Sequence, residues 1–192
     1  YWGCSNVKPI YGIELDPATM KPLCEPRVMI DSCREKRGYE RNGEDHMMAV
    51  NEEEQQEQIE AAVAMMMGLP KAQREKMGYG VTEEELREKF SGIMSDRPYI
   101  EGAWMTKYKG RYYLQYAIPG TENNVYGDGC YVGESPLGPF VPAKNNPYSY
   151  MPGGFITGAG HGSTLIDKQK RVWHAASMRI IENYRFERRL GL

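Results

Sequence analysis

Only four cysteines occur in 192 residues, Cys4, Cys24, Cys33 and Cys130, and none pairs as CxxC or clusters with histidine. A structural zinc site needs convergent Cys/His ligands, so that class is disfavoured. Free thiols are the default reading, with disulfides open. No run of eighteen apolar residues is present, so the sequence offers no transmembrane helix. No signal-peptide pattern is visible. Net charge is −2, and lysine and arginine never run long enough to track a phosphate backbone. Neither a nucleic-acid nor a membrane partner is therefore expected. The three histidines, His46, His161 and His174, form no HExxH. The GxSxG elbow of acyl-transfer enzymes and the GxxxxGK phosphate loop are also missing.

Aromatic residues and turn formers are abundant: fourteen Tyr, three Trp, twenty-one Gly and twelve Pro. That mixture suggests short strands around an aromatic sheet core or a sugar-stacking cleft. "PIYGIEL" and "PRVMI" read as strands, "DPATMKP" as a turn and "REKRGYERNGEDH" as a loop. The chain opens at Tyr1 in "YWGCSN", as though a strand were already under way, and sequence upstream of Tyr1 is expected.

Residues 51–92 differ in texture. They carry ten acidic and five basic residues and are rich in helix formers. Asn51 is placed to cap a first helix, with Glu54 at its third position and Ile59, Val63 and Met66 or Met67 on one face. Gly68 and Pro70 end it. "VTEEELREKF" predicts a second helix capped by Thr82 with Glu85 three residues on, and Leu86 and Phe90 share a face. The expectation is an acidic α-helical insertion in a β-rich chain.

From Pro98 the pattern is antiparallel β. "YIEGAWMTKY" and "GRYYLQYAIP" form a hairpin about Lys109-Gly110, and "GCYVGES" is a further strand. "SPLGPFVPAKNNPYSYMPGG" is a long loop. "HGSTLIDKQKRVWHAASMRI" reads as strand, turn, strand. The fold class expected is all-β, with blade-like units. About 150 residues lie outside the helical segment, enough for roughly three blades of about 40 to 50 residues each.

Candidate acids are Glu101, Asp128, Glu134 and Asp167. Glycoside hydrolysis needs one protonated and one ionised carboxyl across a cleft. Glu101 suits the first role if Trp104 shields it, since desolvation raises a carboxyl pKa. Gly102 would permit close approach. The plain alternative is a satisfied strand-end carboxylate. "FITGAGHGSTLID" surrounds His161 with glycines. Such a histidine could hold a metal, orient a carboxylate or reach a substrate hydroxyl, or bond backbone in the core. His174, in "VWHAAS", favours a structural role.

"RPYIEGAWMTKYKGRYYLQYAIPGTE", "YGDGCYVGESPLGPF" and "NPYSYMPGGFITGAGHGSTLIDKQKRVWHAASMRI", in that order, resemble family 43 glycoside hydrolases. These are five-bladed β-propellers with β-xylosidase, arabinofuranosidase and related activities. The resemblance covers most of the chain outside 51–92. It implies that residues 1–192 form a partial propeller domain of about three blades, with 51–92 inserted. It makes Glu101 the general acid. Trp104, His161 and Arg179 become substrate-binding candidates. The family's central histidine, matched by His161, lies near the propeller axis, often beside a bound cation or its water shell. A calcium ion is the candidate there, held directly or through water, and no cofactor is required. The family's base and pKa-modulating aspartates lie upstream of "YWG" and have no counterpart here. The complete parent is thus expected to be an inverting hydrolase of xylosyl or arabinofuranosyl bonds in plant oligo- or polysaccharides, with this chain inactive alone. The competing expectation is a non-catalytic carbohydrate-binding or interaction module on the same scaffold.

Overall fold

The computed structural model describes residues 1–3, 9–33, 36–43, 52–78, 80–93, 98–180 and 188–192. Two compact units emerge: Tyr1–Met47 with Arg97–Leu192, and Met48–Asp96. In the first unit Arg41 bridges to Pro98, and the Tyr99 N–H donates to Glu40 O at 2.7 Å. The chain therefore leaves and rejoins this unit at neighbouring points.

Among the described residues the larger unit contains three antiparallel sheets. Strands β1 (Ile10–Gly12) and β2 (Arg27–Ile30) pair with one another. The turn between them is held by Asp16 Oδ1, which accepts from the Ala18 and Thr19 amides at 2.9 and 2.7 Å. Strands β3 (Glu101–Tyr108), β4 (Arg111–Ile118) and β5 (Gly127–Gly133) form the central sheet. Its hairpin turns at Lys109 and Gly110, with φ of 47° and 79°, as a two-residue turn with both central residues left-handed requires. Two short strands, β6 (Phe140–Pro142) and β7 (Ser149–Tyr150), pair with opposite ends of β5. They lie in the segment expected to be only a loop. Its prolines mask them, because an edge strand tolerates a residue without an N–H. Strands β8 (Gly158–Ile166), β9 (Val172–Arg179) and β10 (Arg188–Gly191) form the third sheet, in the order β10-β9-β8.

One face of the central sheet supplies the core. Leu114, Tyr116, Ile118 and Tyr131 pack with Ile100 and with Ile10, Met29 and Ile30. Glu40 is fully buried against this face. It accepts from Tyr116 Oη at 2.7 Å, Arg37 Nε at 2.6 Å and the Cys33 amide at 2.7 Å. A buried carboxylate needs this degree of pairing.

The smaller unit is helical: α1 (Glu52–Met67), α2 (Lys71–Met77) and α3 (Glu83–Ile93). Ile59, Val63 and Met66 of α1 pack with Leu86 of α3, and Leu69 and Phe90 flank them. Helix α2 was not expected from the sequence. It begins after Pro70 and ends at Gly78, which is left-handed at φ 71°. Arg74 of α2 is buried and ties the unit together, donating to Met67 O, Leu69 O and Val81 O at 2.9–3.0 Å. Asn51, the expected first cap, lies outside the described residues. The second cap forms as a reciprocal pair: Glu85 N donates to Thr82 Oγ1 at 3.2 Å, and Thr82 N to Glu85 Oε2 at 3.0 Å.

The described architecture is thus mixed, with several antiparallel sheets and helices. No closed propeller forms among the described residues. Thr82→Ala should destabilise the helical unit by about 1 kcal/mol, measured by chemical denaturation at 222 nm. An unchanged midpoint would show that the capping pair contributes nothing in solution.

Candidate functional site

Strand register sets the site. Glu101 pairs with Ala117, which pairs with Asp128; Trp104 pairs with Gln115, which pairs with Cys130. Directly paired residues share a sheet face. A bulge between Glu101 and Trp104 lets residues three apart occupy successive rungs on that same face. The face opposite the aliphatic core therefore carries both carboxyls, with α-carbons two strand spacings apart, roughly 10 Å.

The Glu101 side chain is 15 % exposed, and its Oε1 lies 3.8 Å from His161 Nδ1. Tyr126, fully buried, donates its hydroxyl to the same oxygen at 3.4 Å. Burial, then the charges of Glu101 and Asp128, push the Tyr126 phenol above its ordinary range. His161 sits at φ 53° within a bulge of β8 between Gly160 and Ser163. The Glu101 contact raises its pKa, against partial burial. Gly102 makes the approach possible. Its φ is 61°, and a Cβ there would meet the His161 ring at 2.9 Å. His161 also lines an open cleft of about 510 Å³ with Ser163, Ser177, Arg188 and Arg189.

Beneath this pair lies Asp128, 1 % exposed. Its Oδ2 accepts the Gly162 N–H at 2.9 Å and lies 3.1 Å from His174 Nε2. The two atoms are close, but the ring N–H is not aligned as a hydrogen bond. Burial raises the Asp128 pKa, while His174 and the Gly162 and His161 amides pull it back. Tyr148 Oη approaches His174 Nδ1 at 3.5 Å and accepts from Gln115 Nε2. Tyr148, Gln115 and Cys130 then line a separate, mostly apolar cavity of about 340 Å³. Burial pushes the Cys130 thiol up to about 12.

The remaining candidates differ in placement. Trp104 is 45 % exposed, and its indole N–H reaches Thr164 O on β8 at 3.3 Å. Arg179 is fully buried, its guanidinium donating to Glu122 O, so it presents no surface to a ligand here. Asp167 closes the β8–β9 turn by accepting from Arg171 and Trp173. Glu134 is exposed at the end of β5. His46 lies outside the described residues. The sequence marked Asp128 and His174 separately but missed their contact, and it missed Tyr126 altogether. No local pattern carries either, because strand pairing creates them.

Calcium takes six to eight oxygen ligands. Among the described residues no three His, Cys, Asp or Glu side chains converge as a metal set. The described groups around His161 therefore do not by themselves make a calcium cage.

The sequence model for glycosyl hydrolases family 43 matches residues 39–191. The chain belongs to this family. It is similar to a β-D-galactofuranosidase of Aspergillus niger, 36 % identical over 69 residues, which are 35 % of this chain and 19 % of that protein. The fold superposes on a thermostable family-43 glycoside hydrolase with a TM-score of 0.54 and 17 % identity, covering 94 % of this chain and 41 % of the other. An endo-1,4-β-xylanase from Bacteroides thetaiotaomicron gives a TM-score of 0.42 at 24 % identity, over 49 % of this chain and 33 % of that one. The matched regions span less than half the length of each of these proteins.

In this family 43 chain, Gly102→Ala should cost about 2 kcal/mol or more and shift the His161 resonances. Retention of both melting temperature and His161 shifts would contradict the close packing. The His161 imidazole should titrate above about 6.5, the ordinary value, and Glu101→Gln should lower it. A pKa raised by folding means that the pair stabilises the fold fully below the unfolded value. That contribution fades as pH rises through the folded one. Parallel pH–stability curves for wild type and Glu101→Gln would count against the pair.

Proposed function

We propose that Glu101 is the general acid of an inverting glycosidase that cleaves terminal or side-chain xylosyl or arabinofuranosyl bonds of plant polysaccharides. The observation that carries this reading is the placement of Glu101 against His161 and Tyr126, with His161 lining an open cleft. Family membership supplies the reaction class. The furanosidase name of the Aspergillus relative supports the furanosyl arm of the substrate class.

In this reading Glu101 gives a proton to the glycosidic oxygen as the C1–O bond breaks, and the carboxylate left behind is the form that pairs with His161. A second carboxylate removes a proton from water, which attacks C1 from the opposite face of the ring. Inversion needs those carboxyls about 6.5–9.5 Å apart. Asp128 is unsuited to be that base, since it is 1 % exposed and engaged by the Gly162 amide. On this reading the base and the modulator are supplied from outside these 192 residues. The three sheets are read as parts of blades of a five-bladed propeller, with 51–92 inserted. A cation near His161, held directly or through water, is compatible with this reading and enters no step.

The exposed Trp104 indole on the rung beside Glu101 favours a second reading, sugar binding by stacking without turnover. Activity separates the two. The 192-residue chain alone should leave p-nitrophenyl β-xyloside and α-L-arabinofuranoside unhydrolysed. Joined to a segment that supplies both aspartates, it should turn over with inversion, and Glu101→Gln should lower kcat about 10²–10⁴-fold. Turnover by the chain alone, or a joined enzyme indifferent to Glu101→Gln, would overturn the proposal. Oligosaccharide binding without turnover in the joined protein would select the second reading.

A further inference from the structure

The buried carboxylate beneath the site is not used by the reaction as written. Asp128 shares a sheet face with Glu101 but belongs to β5, and the group it holds belongs to β8 in a different sheet. That group is the amide immediately after His161. His161 is one of five non-glycine residues with positive φ among the described residues. A left-handed non-glycine residue is costly and persists only where its surroundings fix it. Two contacts do so here. Gly102 leaves room for the ring, and Asp128 Oδ2 fixes the following peptide. Gly162 is itself confined, because a Cβ there would collide with His174 and with Asp128 Oδ2.

We infer that Asp128, backed by His174, is a positioning residue: its carboxylate anchors the Gly162 amide and so holds the His161 turn that presents the imidazole to Glu101. The inference rests on the reading of Glu101 and His161 as the working pair and deepens it. Asp128 touches no substrate. Oδ2 is committed to Gly162 and His174, and Oδ1 has no hydrogen-bond partner among the described residues. A carboxylate so buried is costly unless paired, which is why His174 stands against it from β9 and is itself flanked by Tyr148.

The titratable and charged groups around this device come from every neighbouring element. Asp128 faces His174 from β9, His161 from β8, Tyr126 just before β5 and Tyr148 just before β7. His161 faces Glu101 from β3, Asp128 from β5 and Arg188 from β10. Arg188 opposes the two carboxylates and is itself drawn to Thr121 Oγ1 at 3.0 Å. Any change in His161 titration must therefore be separated into lost charge and lost geometry.

A double-mutant cycle makes that separation on the isotope-labelled 192-residue chain by NMR titration of His161, with no need for activity. The quantity read is the change in the His161 midpoint caused by Glu101→Gln. In the Asp128→Ala background that change should shrink to less than half its wild-type size, because the ring no longer faces Glu101. In the Asp128→Asn background most of it should survive, since the amide oxygen can still accept the Gly162 N–H while the charge is gone. The Gly162 amide should be protected from hydrogen exchange in wild type and Asp128→Asn. If Asp128→Ala does not fold, Asp128→Asn and His174→Gln decide. The inference then requires the Glu101→Gln effect and Gly162 protection to survive in the first and to weaken in the second. Folded Asp128→Ala with an undiminished Glu101→Gln effect would overturn it, as would an unprotected Gly162 amide in wild type. No Glu101→Gln effect in the wild-type chain would instead remove the Glu101–His161 pair itself.

Discussion

The hydrogen bond from the Gly162 amide to Asp128 joins two sheets at the point where the candidate site residues are gathered. Glu101 is fixed by the register of β3 on β4, whereas His161 is fixed by the bulge in β8. Nothing within either sheet alone brings them within 3.8 Å. The contact across the sheets does, and it operates only because Gly102 and Gly162 present no side chain. A Cβ at either position would force the sheets apart or turn the imidazole away.

The central sheet carries a buried carboxylate on each side. Glu40 lies against the aliphatic face, bound by Arg37, Tyr116 and the Cys33 amide. Asp128 lies on the other, accepting from the Gly162 amide with the His174 ring beside it. Glu40 has a full set of partners and locks the chain just before the helical segment. Asp128 has one oxygen without a hydrogen-bond partner among the described residues and the His174 ring beside the other. The two differ in the number of donors that each environment supplies.

Much of the local structure was legible. The Asp16 turn, the Thr82–Glu85 cap, the apolar face of α1 and the Lys109-Gly110 hairpin all follow from residues a few positions apart, where spacing alone determines which side chains meet. Helix α2 was not legible, since seven residues between Pro70 and Gly78 are too few for a periodic signal. Strands β6 and β7 were hidden for a related reason. Their pairing with β5 sets their structure, and their prolines point the other way.

By itself the sequence carried the family, because its long ordered motifs match that family's model, and it singled out Glu101 and His161 as candidates. It also marked Asp128 and His174, though only as separate titratable residues. Only the tertiary structure decided that they form one assembly, that Tyr126 closes it, and that Arg179 is turned inward to a backbone carbonyl. The physical reason is register. Residues far apart in the chain meet through strand pairing and bulges, and a shift of one residue would send each side chain to the opposite face. A single sequence states which groups are available, whereas the paired sheets determine which of them share a face, a neighbour and a degree of burial.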